Sequence, residues 1–536
     1  MAVFGFQLLL TIIILSILNK LSPKYSFARW ILTKGGLIRY LHPTNEQLKE
    51  AIQQQSKNDE QQQLMGNKNS NSINHQTNQN HHRRSYRKNR RNNNHHFDEQ
   101  HSSKPETFYV PKNLQLALDS EPLTLFNLVQ LPYYNELQWL IDFSISTVFV
   151  YFFTEFYYTF IRDGMNDEYN LSIIWCLLSL GFVMKILCSI TATYFRGEES
   201  IGERSICIVC FCIYLLVAMI ILIADEETLE FGLIDAYRNF SYNAYRLLET
   251  QGAIENAYGP SSFLMIKFWL AITCGFIGAL FAFPGLRIAQ MHFDALVYAK
   301  GNQFITIMLH LAFVSPLFIV LAWIKPVARY YFVQRNSISN TTFESGRLIL
   351  ILLILALRFC LFRRYLQSYL NIAPQKISYL RKQTGKVTNI DIQKLIARVG
   401  HYLSVASLQY LTPLLLCLFI TLLTKSTGDY KWTGTLLLSS SLNHTIDNYS
   451  LINNNDDNET AAASHHLNNS IMNNAGDNDD DDKTAEDVAK LALTMLRDVF
   501  NPIVLRGFIG FILWWTCSCW FFTSVVGFVY NSYFRT

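Results

Sequence analysis

Four charged residues stand inside long apolar runs: Asp142 and Glu155 in one run, Lys185 in the next, and Arg358 in a later one. In hydrocarbon each costs roughly +2.5 to 3.5 kcal/mol at mid-depth unless it is paired or hydrated. Helical rise puts Asp142 about 5 Å and Arg358 about 6 Å from the same end of their spans. Lys185 and Glu155 lie deeper, about 15 and 24 Å in, a gap that a long lysine stem partly closes. The expected pairs are therefore Asp142 with Arg358 and Glu155 with Lys185, tying one span to its neighbours. Two readings follow: bundle-fixing ion pairs, or an ion or proton pathway. His310 joins such a path or simply bonds a carbonyl.

Other chemistry is missing from the sequence. It has no HExxH, GxSxG, phosphate loop or GxGxxG opening a helix, so no catalytic residue is assigned. The histidine pairs His81–His82 and His95–His96 lie in low-complexity sequence, and the Asp479–Asp482 run lacks the spaced ligands of a calcium loop. No metal, no cofactor and no nucleic-acid partner is expected. All ten cysteines fall in apolar runs, which excludes a disulfide-stapled ectodomain. Cys207 and Cys210 form a CxxC that reads as packing inside a lipid-embedded helix.

The elements that hold these charges are membrane spans. Half of the 536 residues are hydrophobic and only 16% are charged, against about a quarter charged in soluble chains. Apolar runs at 3–18, 139–161, 171–195, 206–224, 264–283, 304–324, 348–362, 402–424 and 507–530 have the length that crosses about 30 Å of hydrocarbon. The fold class is all-α: a polytopic transmembrane helix bundle of about nine spans in a lipid bilayer. The first run has no basic residue before it, and Lys20, Lys24 and Arg29 follow it. That suits an uncleaved anchor over residues 1–20, with a cleaved signal as the alternative.

Sequons and basic loops orient the bundle. With the N-terminus outside, Asn239, Asn340, Asn443, Asn448, Asn458 and Asn468 all fall in outside loops, at 225–263, 325–347 and 425–506. Asn170 lies too near a span for modification. The inside loop 363–401 is strongly basic, as orientation requires. The loop 325–347 is an exception, with Lys325, Arg329, Arg335 and Arg347 against Glu344. This arrangement predicts a multi-pass glycoprotein of the secretory pathway, in the plasma membrane or the endoplasmic reticulum.

The expected organisation is the anchor at 1–20, a cytosolic segment at 21–138, spans two to eight over 139–424, an acidic glycosylated loop at 425–506, and a last span with a cytosolic tail at 507–536. Residues 51–107 and 440–483 read as disordered polar sequence. The cluster Arg83–Arg91 within the first is a candidate contact for anionic lipid, against the plainer reading of a solvated tail. Thr388-x-x-Asp391 and Thr484-x-x-Asp487 read as capping boxes, the second opening an amphipathic helix at 485–500. Pro284 and Gly285 are expected to end span five; Pro316 and Pro413 are expected to kink spans six and eight. Gly275/Ala279 and Gly507/Gly510 give small faces for helix contact.

The chain resembles the transmembrane protein 161 family. The likeness is carried by FPGLRIAQMHFDAL at 283–296, YSFARWILTKG at 25–35, LHPT at 41–44, QWLIDF at 138–143, TEFYY at 154–158, ERSICI at 203–208, LEFGL at 229–233 and RGFIGFILWW at 506–515. It is somewhat more similar to the B-type branch. The long Asn-rich stretches 51–107 and 433–483 depart from the family and inherit nothing from it. The resemblance implies a non-enzymatic membrane protein that affects potassium and calcium currents and the maintenance of cardiac rhythm. The implied action is direct, or through ion channels or other membrane proteins as partners. It also implies, for one branch, a role in cellular stress responses. A transporter or channel using the intramembrane charges is the competing reading from the residues themselves.

Overall fold

The computed structural model describes residues 6–21, 24–68, 107–111, 118–160, 170–196, 201–224, 228–250, 262–299, 301–335, 339–382, 387–428, 430, 432 and 497–534. The chain divides into two units, 1–37 with 123–369 and 403–536, and 38–122 with 370–402.

The first unit is the helix bundle. Its helices are α1 (Phe6–Leu21), α2 (Phe27–Thr33), α4 (Leu125–Val129), α5 (Tyr134–Phe160), α6 (Leu171–Arg196), α7 (Ile201–Ile223), α8 (Leu233–Thr250), α9 (Phe263–Ala299), α10 (Gln303–Ala322), α11 (Lys325–Arg329), α12 (Asn340–Leu370), α15 (Leu403–Thr427) and α16 (Pro502–Phe534). Among the described residues eight helices are long and apolar enough to cross a membrane; α1 is apolar but shorter. The all-α polytopic class thus holds. Exposed Leu, Ile and Phe cover the outside of these helices, the surface that lipid solvates. The core is α15, buried along nearly its whole length, together with α16, α9 and α6 packed around it.

Small residues set the closest helix approaches. Gly275 on α9 lies so near α7 that a Cβ there would be 3.2 Å from Phe211 and Leu215. A Cβ at Gly285 would collide with Thr523 of α16, and Gly527 of α16 abuts Leu286 and Ala289. Close backbone approach is how membrane helices gain dispersion energy when lipid is as apolar as they are. Gly507 meets Ala236 and Gly232 in the same way, whereas nothing lies within 4 Å of a Cβ at Gly510.

The expected stop at Pro284 is overturned. α9 runs from Phe263 through Pro284 to Ala299. Proline removes one ladder bond, but membrane helices absorb such losses when neighbours pack against them. Gly285 serves that packing rather than a helix end. Helices α10 and α15 likewise run through Pro316 and Pro413.

The second unit gathers pieces of the two segments that the sequence places inside, 21–138 and 363–401. Strand β1 (Ile38–Tyr40) pairs antiparallel with β3 (Ser120–Pro122), and β2 (Tyr109–Val110) with β4 (Val387–Thr388). Helices α3 (Asn45–Lys68), α13 (Ile372–Lys382) and α14 (Asn389–His401) complete it. Thr388 and Asp391 form the expected capping box at the start of α14. Asn389, fully buried, latches the unit: its Oδ1 accepts from Phe108 N at 3.2 Å and its Nδ2 donates to Asn45 Oδ1 at 2.9 Å.

The expectation of disorder from residue 51 is corrected in part, because α3 is helical to Lys68. A capping box overlooked in the sequence opens it: Gln47 N donates to Thr44 Oγ1 at 3.3 Å, and Thr44 N donates to Gln47 Oε1 at 2.9 Å. A run of Gln, Glu and Lys lacks the apolar area for a core yet has good helix propensity. Arg83–Arg91, Thr484–Asp487 and most of 485–500 lie outside the described residues; Val499, from the end of that stretch, is buried.

Candidate functional site

Neither expected charge pair forms: Glu155 takes another partner, and Asp142 and Arg358 bond to backbone groups. Glu155, near the end of α5, pairs with Lys425, near the end of α15. Lys185 does not meet Glu155; it is exposed on α6. Depth brings the two within partial reach of a lysine stem, but helix rotation decides contact. Lys425 extends the last turn of the central helix toward α5, and its ammonium also lies 5.6 Å from the Trp432 ring.

Asp142 does not meet Arg358. Its Oδ1 accepts from Phe27 N at 2.8 Å and Ala28 N at 3.4 Å, capping α2 from another helix. Ser26, at the N-cap position, makes no side-chain cap bond there. A carboxylate facing the free N–H groups of a helix start is well placed electrostatically.

Arg358, 3% exposed, bonds to backbone instead. Pro316 has no N–H to offer the carbonyl four residues earlier, which is Ala312. Arg358 Nε donates to that carbonyl at 2.8 Å, and Nη2 to Phe313 O at 3.5 Å. Ser315 Oγ donates to Ala312 O at 3.0 Å. The guanidinium stacks 4.0 Å from the Trp520 ring centroid, a contact that gains strength once desolvated. Tyr410 Oη donates to Arg358 O at 2.9 Å. The Arg358 side chain thus ties its own helix α12 to α10 and α16, and its backbone carbonyl ties α12 to α15.

A polar band continues from this centre along α9. His292, 1% exposed, shares a 3.0 Å hydrogen bond with Tyr365 Oη and stacks on Phe313 at 4.4 Å. Tyr365 lies 5.1 Å from Tyr410, and Ser368 Oγ donates to Met291 O at 3.0 Å. His310 stands edge-on to His292 at 5.8 Å; among the described residues it bonds no carbonyl. Further along, Arg287 Nε donates to Gln409 Oε1 at 3.2 Å, and Gln409 Nε2 donates to Tyr194 Oη at 2.9 Å. His292 and Arg287 were missed because Pro284 was read as the end of the helix that carries them.

The opposite end of the bundle carries a charge network. Glu230 accepts from both Arg329 and Arg347, and Arg347 Nη2 lies 2.7 Å away. Arg347 also faces the Phe343 ring at 4.4 Å. Arg506 Nη1 lies 3.2 Å from Glu344 Oε2, and Nη2 donates to Gly428 O at 2.7 Å. Arg506 stacks 4.4 Å from the Tyr430 ring; burial pushes the Tyr430 phenol up to about 12, so the ring meets the cation in its neutral form. Backbone bonds from Glu230 N to Trp323 O and from Lys325 N to Thr228 O, at 3.2 and 3.1 Å, stitch the loops together. Glu230 of another loop thus offsets part of the basic excess of 325–347, by engaging Arg329 and Arg347.

These contacts put four loops at one end. Lys425 and Glu155 bring in the loops after α15 and α5, and Gln7 of α1 brings in the chain's start. Gln7 Nε2 donates to Tyr158 Oη at 2.6 Å, and Gln7 Oε1 accepts from Leu171 N at 2.8 Å. Asn340 and Asn239 belong to this end. Asn340 Oδ1 accepts from Arg329 at 3.1 Å, and Asn239 Nδ2 donates to Asp235 O at 3.0 Å. Asn443, Asn448, Asn458 and Asn468 lie outside the described residues.

Among the described residues no three His, Cys, Asp or Glu side chains cluster as metal ligands. Cys207 is buried, its thiol 4.0 Å from Ala279 O.

No solved structure matches this chain. The family described as predicted transmembrane protein 161AB matches residues 2–535. With eight candidate membrane spans among the described residues of that match, the chain belongs to the transmembrane protein 161AB family.

Proposed function

We propose that this chain is a non-catalytic multi-pass membrane protein that modulates membrane excitability, through potassium and calcium currents and the cardiac rhythm that depends on them. Family membership supports the reading. The observation that carries it is how the intramembrane charges are held. Asp142, Glu155 and Arg358 sit in three separate places, each fixed by a different set of helices. They do not converge on a shared centre, as acid–base or ion-relay chemistry requires. A rigid bundle of this kind acts on currents through its surfaces and partners.

The orientation proposed has the loops 225–263, 325–347 and 425–506 outside the cytosol. Its support is that the described parts of these loops share one end of the bundle and that the loops carry all the sequons assigned above. Such a protein enters the secretory pathway and resides in the plasma membrane or the endoplasmic reticulum. Whole-cell recording in cells lacking the protein is the test. Altered potassium and calcium currents, restored by the full chain, are expected; unchanged currents would defeat the reading.

A transporter or channel is the second reading, favoured by one observation, the polar band from Arg358 through Tyr410 and Tyr365 to His292. Ion flux into liposomes holding the purified protein, abolished by Arg358→Met, is its expected result; impermeable liposomes would rule it out.

A further inference from the structure

We infer that the face of α6 carrying Lys185 docks a transmembrane helix of another membrane protein, one that bears a carboxylate at mid-depth. Lys185 is 14 residues from Leu171 and 11 from Arg196, the ends of α6, or about 21 and 17 Å along the axis. It is therefore near the middle of about 30 Å of hydrocarbon. Its side chain is exposed, and among the described residues it has no hydrogen bond or ion pair. Lipid, not water, meets that surface. Helical side chains lean toward the helix N-terminus, here away from the nearer end, so the stem does not carry its ammonium to the interface. A bare ammonium at this depth is costly, and a carboxylate on a partner helix removes the cost.

The rest of the face suits a helix. Gly181, Lys185, Ser189 and Thr193 recur every four residues and are all exposed. Nothing lies within 4 Å of a Cβ at Gly181, so a neighbouring backbone has room to come close. The opposite face, with Val183, Ile186, Leu187 and Ile190, is buried in the bundle.

A second copy of this chain does not fit. Two copies lie parallel in one membrane, so a two-fold contact through this face sets Lys185 against Lys185 at one depth. Nor does the chain offer an acid to it. Asp142 and Asp294 are 4% and 1% exposed, and Glu155 is engaged by Lys425. Lipid phosphates sit at the interface, not at mid-depth. The occupant is therefore a foreign span with a buried Asp or Glu.

The inference rests on the placement of α6 in the membrane and not on the current-modulating reading. Unchanged currents in null cells would defeat that reading alone.

The test reconstitutes the full chain in phosphatidylcholine vesicles with a synthetic leucine-rich single-span peptide, and reads association by energy transfer. The peptide carries Glu, Lys or Leu at its centre. The wild type is expected to bind the Glu peptide about 5- to 30-fold better than the Leu peptide, the ratio that about 1–2 kcal/mol for a polar contact between membrane helices sets. Lys185→Leu removes the preference, and Lys185→Glu transfers it to the Lys peptide. Gly181→Leu keeps the charge but weakens binding by blocking close approach. Both positions face outward, so the variants are expected to elute as the wild type does. A Glu peptide that binds no better than the Leu peptide overturns the inference. So does a preference that survives Lys185→Leu, or self-association of the chain that depends on Lys185.

Discussion

Replacing Lys425 with Met separates the observed charge pairing from the one depth alone suggests. The Glu155 side chain is 23% exposed and that of Lys425 10%. Losing one partner of a fully buried pair costs about 3–5 kcal/mol, because the other charge is stranded. The partial exposure of Glu155 and its place near a helix end lower this to about 2–3 kcal/mol for Lys425→Met. The double change Glu155→Met with Lys425→Met removes both charges, so its cost falls to about 0–1 kcal/mol. Glu155→Met alone strands Lys425 and costs about as much as Lys425→Met, so the cycle gives a coupling of about 3–6 kcal/mol. The assay is thermal unfolding of the detergent-solubilised chain, read as the loss of monodisperse protein after heating. Lys185→Met is the control, with no coupling to Glu155. A Lys425→Met protein as stable as the wild type, or a coupling of Glu155 to Lys185, would refute the assignment.

Other outcomes follow from the same contacts. Glu230→Gln is expected to destabilise more than Arg329→Gln, by about 1–2 kcal/mol in the same assay, because it strands Arg347, which is 8% exposed. Gly285→Ala should cost about 1–3 kcal/mol by overpacking against Thr523, while Gly510→Ala, with open space around it, should leave the midpoint unchanged. Asp142→Ala removes the cap of α2 and should cost about 0.5–2 kcal/mol, seen as faster protease cleavage near Arg29. Glycosidase treatment should speed the electrophoretic mobility of the wild type by more than that of a variant with Asn443, Asn448, Asn458 and Asn468 changed to Gln, which keeps Asn239 and Asn340. A fully protease-accessible cytosolic loop at 425–506 would invert the proposed orientation.

The positions of the spans were legible because the length of an apolar run and the cost of unsatisfied backbone in lipid are one-dimensional properties. The capping box at Thr388 was legible for a similar reason, since its partners are three residues apart. Stops inside apolar sequence were not. Pro284 carries the same local penalty wherever it stands, and only packing of Gly285 against Thr523 shows that α9 continues. The Thr44–Gln47 box has partners three residues apart too, and a low-aliphatic composition speaks against core formation but not against a helix.

The sequence by itself therefore determined the all-α membrane class, the approximate spans and the set of charges that must be accommodated. Tertiary structure alone decided what accommodates them. A charge in a span dictates that a partner exists but not its identity, because helix rotation and neighbour choice are set by packing over the whole bundle. Glu155 met Lys425 because α15 lies at the centre. Arg358 met a carbonyl that Pro316 had released. Lys185 faces outward because, among the described residues, its own side of α6 has no neighbour.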